Sequence, residues 1–132
     1  MKTTNQVLTD IWAIVTASSI NALSGGVYKK TRPTASVLED CVISLIPGTS
    51  ARFVQDGAIY IKIFYADIFL NNSWLEDSTN GAAKETLLYT LSNTLLTTKD
   101  YFFRVESREV YTEEVPEIHQ HFAILKMNFK IL

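Results

Sequence analysis

Apolar residues at spacings of three and four predict a first helix in the chain. The pattern runs from Asn5 to Leu23 and is typical of a helix with one broad buried stripe. Thr3 and Gln6 fit a capping box at its start. Gly25-Gly26 is typical of a helix end, because glycine adopts the left-handed conformation that closes a helix. The sequence therefore predicts a helix between these two signals.

A leucine-rich segment predicts a second helix, and a polar segment in front of it predicts a loop. The helix is expected from Ala82 to about Thr97, with Lys84 and Ser92 on its solvent side. The stretch "LNNSWLEDSTNG" is rich in residues that form turns, so it is predicted as a loop of about a dozen residues. Loops of this length in compact domains are often functional, and this one contains Trp74.

The remaining segments are predicted as extended chain. "VYKKTRP" is a short extended piece. The predicted strands are "DCVISLI", "ARFVQ", "DGAIYIKIFYADIF", "YFFRVESREVY" and His121 to Leu132. Asp56-Gly57 is a two-residue hairpin signal, which predicts that "ARFVQ" turns directly into the long strand after it. The last strand alternates most clearly, with Ala123, Leu125, Met127, Phe129 and Ile131 on its inner side. We predict a single α+β domain over residues 1–132, an antiparallel sheet with two helices packed on one face, in the order α-β-β-β-α-β-β.

The long strand is apolar on both of its faces. One face carries Ile59, Ile61, Ile63 and Tyr65, and the other carries Tyr60, Phe64, Ala66 and Ile68, interrupted only by Lys62. One face can serve the core. Two helices could both lie on that side and leave the second face to a partner. Exposed apolar patches usually mark association surfaces, although the alternative is that elements of the same chain cover both faces.

Composition and charge narrow the possible functions. The chain has 132 residues, of which 47% are hydrophobic and 20% charged, so it is expected to fold throughout. A net charge of −2 argues against nucleic-acid binding through a basic surface. The single cysteine, Cys41, excludes a disulfide framework and is predicted to be buried. The sequence predicts neither a membrane span nor an export signal, and a reducing cytoplasm is the expected compartment.

The histidines suggest the strongest candidate for a metal site. His119 and His121 are two residues apart, and Glu113, Glu114 and Glu117 lie just upstream as possible further ligands. The alternative is a solvated polar approach to the last strand. We favour that alternative, because a metal site needs three or four converging ligands with their supporting hydrogen bonds.

Other candidates for catalysis are weaker still. Cys41 lacks the exposed, electropositive setting of a catalytic thiol. The carboxylate pairs Glu39-Asp40, Glu76-Asp77 and Glu113-Glu114 are adjacent residues, which point to opposite sides of a strand, so solvated loops explain them better. We therefore predict no enzymatic activity, no catalytic residues, no metal and no cofactor.

In its order of segments the chain resembles a family of phage proteins. The segments are "VLTDIWAIVTASSINAL" with "GGVYKK", "DCVISLIPGT", "DGAIYIKIFYADI" ending at Asp67, "AAKETLLYTLSNTLL" and "HFAILKMNFKI". Together they resemble the tail-completion or tail-terminator proteins of long-tailed phages, which join head and tail. The resemblance implies a non-enzymatic protein of the virion tail or neck, made in the bacterial host cytoplasm. It also implies a homo-oligomeric ring, typically six-fold, that contacts the tail tube or neck and connector proteins.

A ring would explain the second apolar face of the long strand, because each subunit could bury that face against its neighbour. On this hypothesis the interface contains Tyr60, Lys62, Phe64 and Ile68, with Trp74 in the adjoining loop. The acidic stretch at 106–117 is a candidate contact with another tail or neck protein. Two alternatives remain open: an adaptor that binds a peptide along a strand edge, and a metal-dependent enzyme using the histidines and glutamates.

Overall fold

A mixed sheet of six strands lies at the centre of the structure, and two helices pack on one of its faces. The computed structural model describes residues 2–48, 54–104 and 108–132. Its strands are β1 (Val27–Lys29), β2 (Cys41–Pro47), β3 (Asp56–Ala66), β4 (Ile68–Leu70), β5 (Ser73–Leu75), β6 (Tyr101–Phe103), β7 (Glu109–Val115) and β8 (Gln120–Ile131). Its helices are α1 (Thr4–Thr16) and α2 (Ser78–Leu96), with short 3-10 helices at Ser19–Ala22 and Pro116–Ile118. The predicted α+β fold is confirmed. The sheet is mixed rather than antiparallel throughout, because β1 runs parallel to β2. The described residues also contain more strands than predicted, with β1 to β5 before α2 and β6 to β8 after it.

The two longest strands, β3 and β8, form the middle of the sheet. They pair antiparallel along the whole of β3, from Asp56 opposite Lys130 to Ala66 opposite Gln120. Beyond β3 the order continues to β2 and then to β1, which runs parallel to β2. On its other side β8 pairs with β7 along its first half and with β6 near its end. The strands β4 and β5 form a separate two-stranded sheet.

The core lies between the two helices and the inner face of the sheet. Its buried residues on β3 and β8 are those that alternation predicted: Ile59, Ile61, Ile63, Tyr65, Ala123, Leu125, Met127 and Phe129. The helices contribute Val7, Leu8, Ile11, Val15, Leu88, Leu91 and Leu95 to the same cluster. Both helices therefore pack on one face, as predicted.

The predicted end of the first helix was wrong. Thr3 and Gln6 do form the capping box at its start, but α1 ends at Thr16. Gly25 lies beyond it, and among the described glycines none has a positive φ. A Cβ on Gly25 would lie 2.2 Å from the Asp40 carboxylate oxygen Oδ1. Glycine is needed there because Asp40 packs against the backbone, which a spacing argument does not reveal.

Asp56-Gly57 is also not the turn that its sequence suggests. Both residues lie inside β3, where Gly57 is opposite Pro47 on one side and Phe129 on the other. A Cβ on Gly57 would lie 2.4 Å from the Ile46 carbonyl oxygen, so close backbone approach explains this glycine. Most of the predicted run "ARFVQ" is outside the described residues, although Val54 bridges to Lys2.

The predicted loop before the second helix is a β-hairpin. Its strands β4 and β5 are joined by Asn71 and Asn72, whose φ angles of 52° and 60° are those of a tight two-residue turn. Asparagine tolerates this left-handed conformation better than most residues. α2 then begins at Ser78, four residues earlier than predicted, and the Asp77 carboxylate accepts a hydrogen bond from the Asn80 backbone N–H as its N-cap.

The polar residues of α2 differ from the prediction as well. Lys84 and Ser92 are buried, although both were expected on the solvent side. The Lys84 ammonium lies 2.8 Å from the Glu39 carboxylate and donates a hydrogen bond to the Asn80 side chain. This ion pair attaches α2 to the segment that precedes β2, which explains how a lysine is accommodated there.

Candidate association surfaces

The five residues predicted at an interface lie on two different surfaces. Tyr60, Lys62 and Phe64 lie on the face of the sheet opposite the helices, which we call the outer sheet face. Ile68 does not share that face, because β3 ends at Ala66 and Ile68 begins β4. It lies with Trp74 on residues 68–75, which we call the apolar hairpin. The prediction that Ile68 continues the β3 face is therefore wrong.

Cationic side chains cover the rings of the outer sheet face. Arg32 lies 4.0 Å from the Phe64 ring centroid, Lys62 lies 4.7 Å from Phe122, and Lys126 lies 5.4 Å from Tyr60 and 5.8 Å from Tyr111. The Phe64 and Phe122 rings also contact each other, with centroids 5.5 Å apart. Phe122 is only 8% exposed as a result, although both helices lie on the opposite face. The chain therefore covers much of its second apolar face itself.

Arg32 holds its position over Phe64 through a buried network. Its Nε donates to the Asp40 carboxylate at 2.8 Å, and its Nη1 donates to the Gln120 side-chain oxygen at 2.8 Å. The Asp40 side chain is completely buried, so the prediction that it lies in a solvated loop is wrong. Gln120 in turn donates to the Ser36 carbonyl at 3.1 Å. These bonds attach the segment between β1 and β2 to one end of the outer sheet face.

The apolar hairpin has no comparable cover. Its large apolar side chains are each about half exposed: Ile68 48%, Phe69 57%, Leu70 54%, Trp74 48% and Leu75 46%. The Phe69 and Trp74 rings pair with each other, 5.1 Å apart, and the Trp74 ring stacks on the His119 ring at 4.2 Å. In the part of the chain that the structure describes, β4 and β5 pair only with each other. Each strand of the hairpin therefore keeps one unpaired edge.

Four polar side chains surround the base of the hairpin, and we call them the base cluster: Tyr65, Asp67, Glu76 and His121. The His121 Nδ1 lies 2.5 Å from the Asp67 carboxylate, and its Nε2 lies 3.5 Å from the Glu76 carboxylate. The Tyr65 hydroxyl donates to the other Glu76 oxygen at 2.9 Å. Burial, reinforced by this bond to a carboxylate, raises the pKa of Tyr65 well above its ordinary value.

The residues that the sequence suggested for a metal site or a catalytic thiol are placed differently in the structure. His119 stacks on Trp74, while His121 is bonded to Asp67. Within residues 2–48, 54–104 and 108–132, no group of three or more His, Cys, Asp or Glu side chains is arranged to hold a metal ion. Burial, with a smaller contribution from the charge of Asp40, raises the pKa of Cys41 to about 12. That thiol is therefore protonated near neutral pH and is a poor nucleophile.

Sequence reasoning missed the base cluster and the hairpin above it. Asp67 and Glu76 flank the hairpin, but His121 lies far along the chain on β8, so no local motif joins the three. The hairpin had a readable signal, because Asn71-Asn72 separates the apolar runs "IFL" and "SWL".

Comparisons with known proteins give no assignment. Neither the protein-family models nor the curated proteins contain a match to this chain. Both α1 and α2 are too short or too polar to cross a membrane, and the described residues contain no other helix that could.

Proposed function

We propose that this chain is a structural protein of a phage tail or neck, without enzymatic activity, that caps or joins the tail tube as a homo-oligomeric ring. The proposal combines two independent supports. One is the resemblance of the order of segments to tail-completion and tail-terminator proteins. The other is the apolar hairpin, the observation on which a role in association depends.

The apolar hairpin has the properties of a surface that binds protein. Large exposed apolar patches are uncommon on monomeric proteins and mark association sites. A hairpin of two short strands is also marginally stable by itself, and unpaired strand edges accept further strands. A partner that covers Phe69 and Trp74 would bury two half-exposed aromatic rings, the kind of side chain that contributes most to binding at interfaces.

A closed ring needs two different surfaces on each subunit, because its contacts are head-to-tail. We propose that the apolar hairpin of one subunit binds the outer sheet face of the next. On this arrangement Ile68 and Trp74 belong to one side of the contact, and Tyr60, Lys62 and Phe64 belong to the other. The outer sheet face remains partly exposed at these three positions, which leaves its rings accessible to a neighbour.

The solution mass of the protein tests this proposal. We expect light scattering over a concentration series to give a ring-sized mass for the wild-type chain. Trp74→Asp and Phe64→Asp should each give folded monomers, since each replaces an aromatic ring of the contact with a short charged side chain. Tyr89→Asp is the matched control, because Tyr89 is 52% exposed on α2 and belongs to neither surface. It should leave the mass unchanged.

Mixing the two monomeric variants tests the head-to-tail arrangement directly. The Phe64→Asp chain keeps an intact hairpin, and the Trp74→Asp chain keeps an intact outer sheet face. We therefore expect the mixture to form a one-to-one dimer that cannot grow into a ring. A mixture that remains monomeric would contradict pairing of these two surfaces. A wild-type chain that remains monomeric at every concentration would contradict self-assembly and favour a peptide-binding adaptor.

A further inference from the structure

We infer that His121 clamps both ends of the apolar hairpin and that protonation of its imidazole determines how firmly the hairpin is held. The consequence for assembly, a ring that loosens as the pH rises, rests on the function proposed above. The clamp itself does not, since it concerns contacts within one chain.

The clamp is visible in the positions of the two carboxylates. Asp67 immediately precedes β4, and Glu76 immediately follows β5, so they are the residues at which the chain enters and leaves the hairpin. Each contacts a different nitrogen of the same imidazole, at 2.5 Å for Asp67 and 3.5 Å for Glu76. One side chain therefore connects both ends of the hairpin to β8.

The imidazole is carried by a strand that is paired on both sides at this position, with β3 and with β7. His121 lies on β8 directly opposite Tyr65 of β3, and their rings stack with centroids 6.0 Å apart. Tyr65 is buried, and its hydroxyl donates to Glu76, which gives this end of the hairpin a second attachment. The Asp67 backbone N–H also donates to the His119 carbonyl at 3.0 Å. The base of the hairpin is thus fixed to the sheet, whereas among the residues that the structure describes β4 and β5 pair only with each other.

The protonation state of His121 changes how many ends it can hold. An imidazolium ion has two N–H donors, one for each carboxylate, whereas a neutral imidazole has one donor and one lone pair. The shorter contact, to Asp67, is expected to keep the remaining N–H. The lone pair on Nε2 would then face the Glu76 carboxylate without a hydrogen bond. Raising the pH through the titration of His121 should therefore loosen the hairpin at the Glu76 end.

Other titratable groups lie around this cluster and must be separated from His121 in any experiment. Glu114 of β7 is opposite His121 in the sheet register, and the charge of Glu85 on α2 reaches Tyr65. A carboxylate group only accepts hydrogen bonds, so neither side chain can replace the imidazole as a donor. His119 is the other histidine of the chain, and its ring stacks on Trp74 of the hairpin.

An NMR titration of the Phe64→Asp chain tests the clamp without interference from assembly, because that variant retains the hairpin and the base cluster. The two histidines of the chain give separate imidazole signals, and Trp12→Phe identifies the indole signal of Trp74. We expect the hairpin amides and the Trp74 indole to shift with the midpoint of His121. Hydrogen-exchange protection of the hairpin, corrected for the intrinsic rate, should fall about tenfold above that midpoint.

Three variants distinguish the clamp from a general loss of structure. Glu76→Gln keeps the shape of the side chain but removes its charge, so the hairpin should lose its response while His121 still titrates. His121→Gln should remove the response altogether. His119→Gln removes the imidazole that stacks on Trp74 and should leave the response at the midpoint of His121. Hairpin signals that remain constant through the His121 titration, or that follow His119 instead, would overturn the clamp.

The wild-type mass over the same pH range separates this inference from the proposed function. If the hairpin follows His121 and the ring weakens with it, both are supported. A hairpin that follows His121 while an assembled ring is unaffected would overturn the link between hairpin and ring. If the protein forms an oligomeric ring but its hairpin does not respond to protonation of His121, the clamp is overturned and the proposed function stays intact.

Discussion

The outer sheet face and the apolar hairpin are both rich in large apolar side chains, but they differ in how those side chains are covered. On the outer sheet face, Arg32 and Lys62 lie over the Phe64 and Phe122 rings. On the hairpin, the Phe69 and Trp74 rings contact each other and remain about half exposed. Among the described residues, cationic side chains cover the rings of the first surface, whereas the rings of the second stay about half exposed.

The difference shows that an apolar pattern on a strand does not by itself identify a surface that needs a partner. Long cationic side chains can cover a ring with their alkyl stems and their charge, at little cost to solubility. The outer sheet face has such side chains on β3, on β8 and in the segment after β1. The hairpin has none among its own residues, since "IFLNNSWL" contains no Lys or Arg. It is therefore the stronger candidate for association.

The largest expected loss of stability comes from removing Asp40, whose carboxylate holds Arg32 over the Phe64 ring. Asp40→Ala would leave Arg32 without its buried ion-pair partner, so we expect the free energy of unfolding to fall by about 3–5 kcal/mol. Urea denaturation measures it. Glu113→Ala is the control, because it removes an equal charge at an exposed position and should change stability by no more than about 0.5 kcal/mol. A loss below about 1 kcal/mol for Asp40→Ala would mean that the cover does not depend on this pair.

Alanine substitutions on the two surfaces should lower the free energy of unfolding by smaller and unequal amounts. Phe64→Ala is expected to lower the free energy of unfolding by about 2 kcal/mol, because its ring packs between Phe122 and Arg32. Trp74→Ala should lower it by less than about 1 kcal/mol, since its ring is half exposed, but it should weaken association strongly. Denaturation and light scattering on the same samples measure both quantities. Equal losses of stability would remove the distinction between the surfaces.

Periodicity predicted the apolar side chains of the core but not the burial of Lys84 and Ser92 on α2. The alternation on β8 and the helical spacing of α1 both identify which side chains meet, since burial of apolar residues follows the period of the element. The two glycine signals failed for a common reason. Gly25 and Gly57 are required by close contacts with Asp40 and Ile46, which lie elsewhere in the chain, so a local turn rule misread them.

The candidate site was less predictable than the core, because its parts meet only in the folded chain. Asp67, Glu76 and His121 lie on different elements, and nothing in their spacing indicates that they share one contact network. Asp40 was misread for the same reason, since its partner Arg32 reaches it only after the segment between them folds back. The polar residues around Asn71-Asn72 suggested a loop, although the same two residues permit a hairpin turn.

The smallest expected effect tests whether charge or alkyl packing covers the outer sheet face. Lys62→Met keeps an unbranched stem over Phe122 but removes the cation, so we expect a loss of about 0.5–1 kcal/mol in the free energy of unfolding. Lys62→Arg retains a cation over the ring and should stay closer to the wild type. If Met and Arg are equally stable, packing of the stem covers the ring and the charge has another role. Stronger association of Lys62→Met, measured by light scattering, would then identify that role as limiting contact between exposed outer faces.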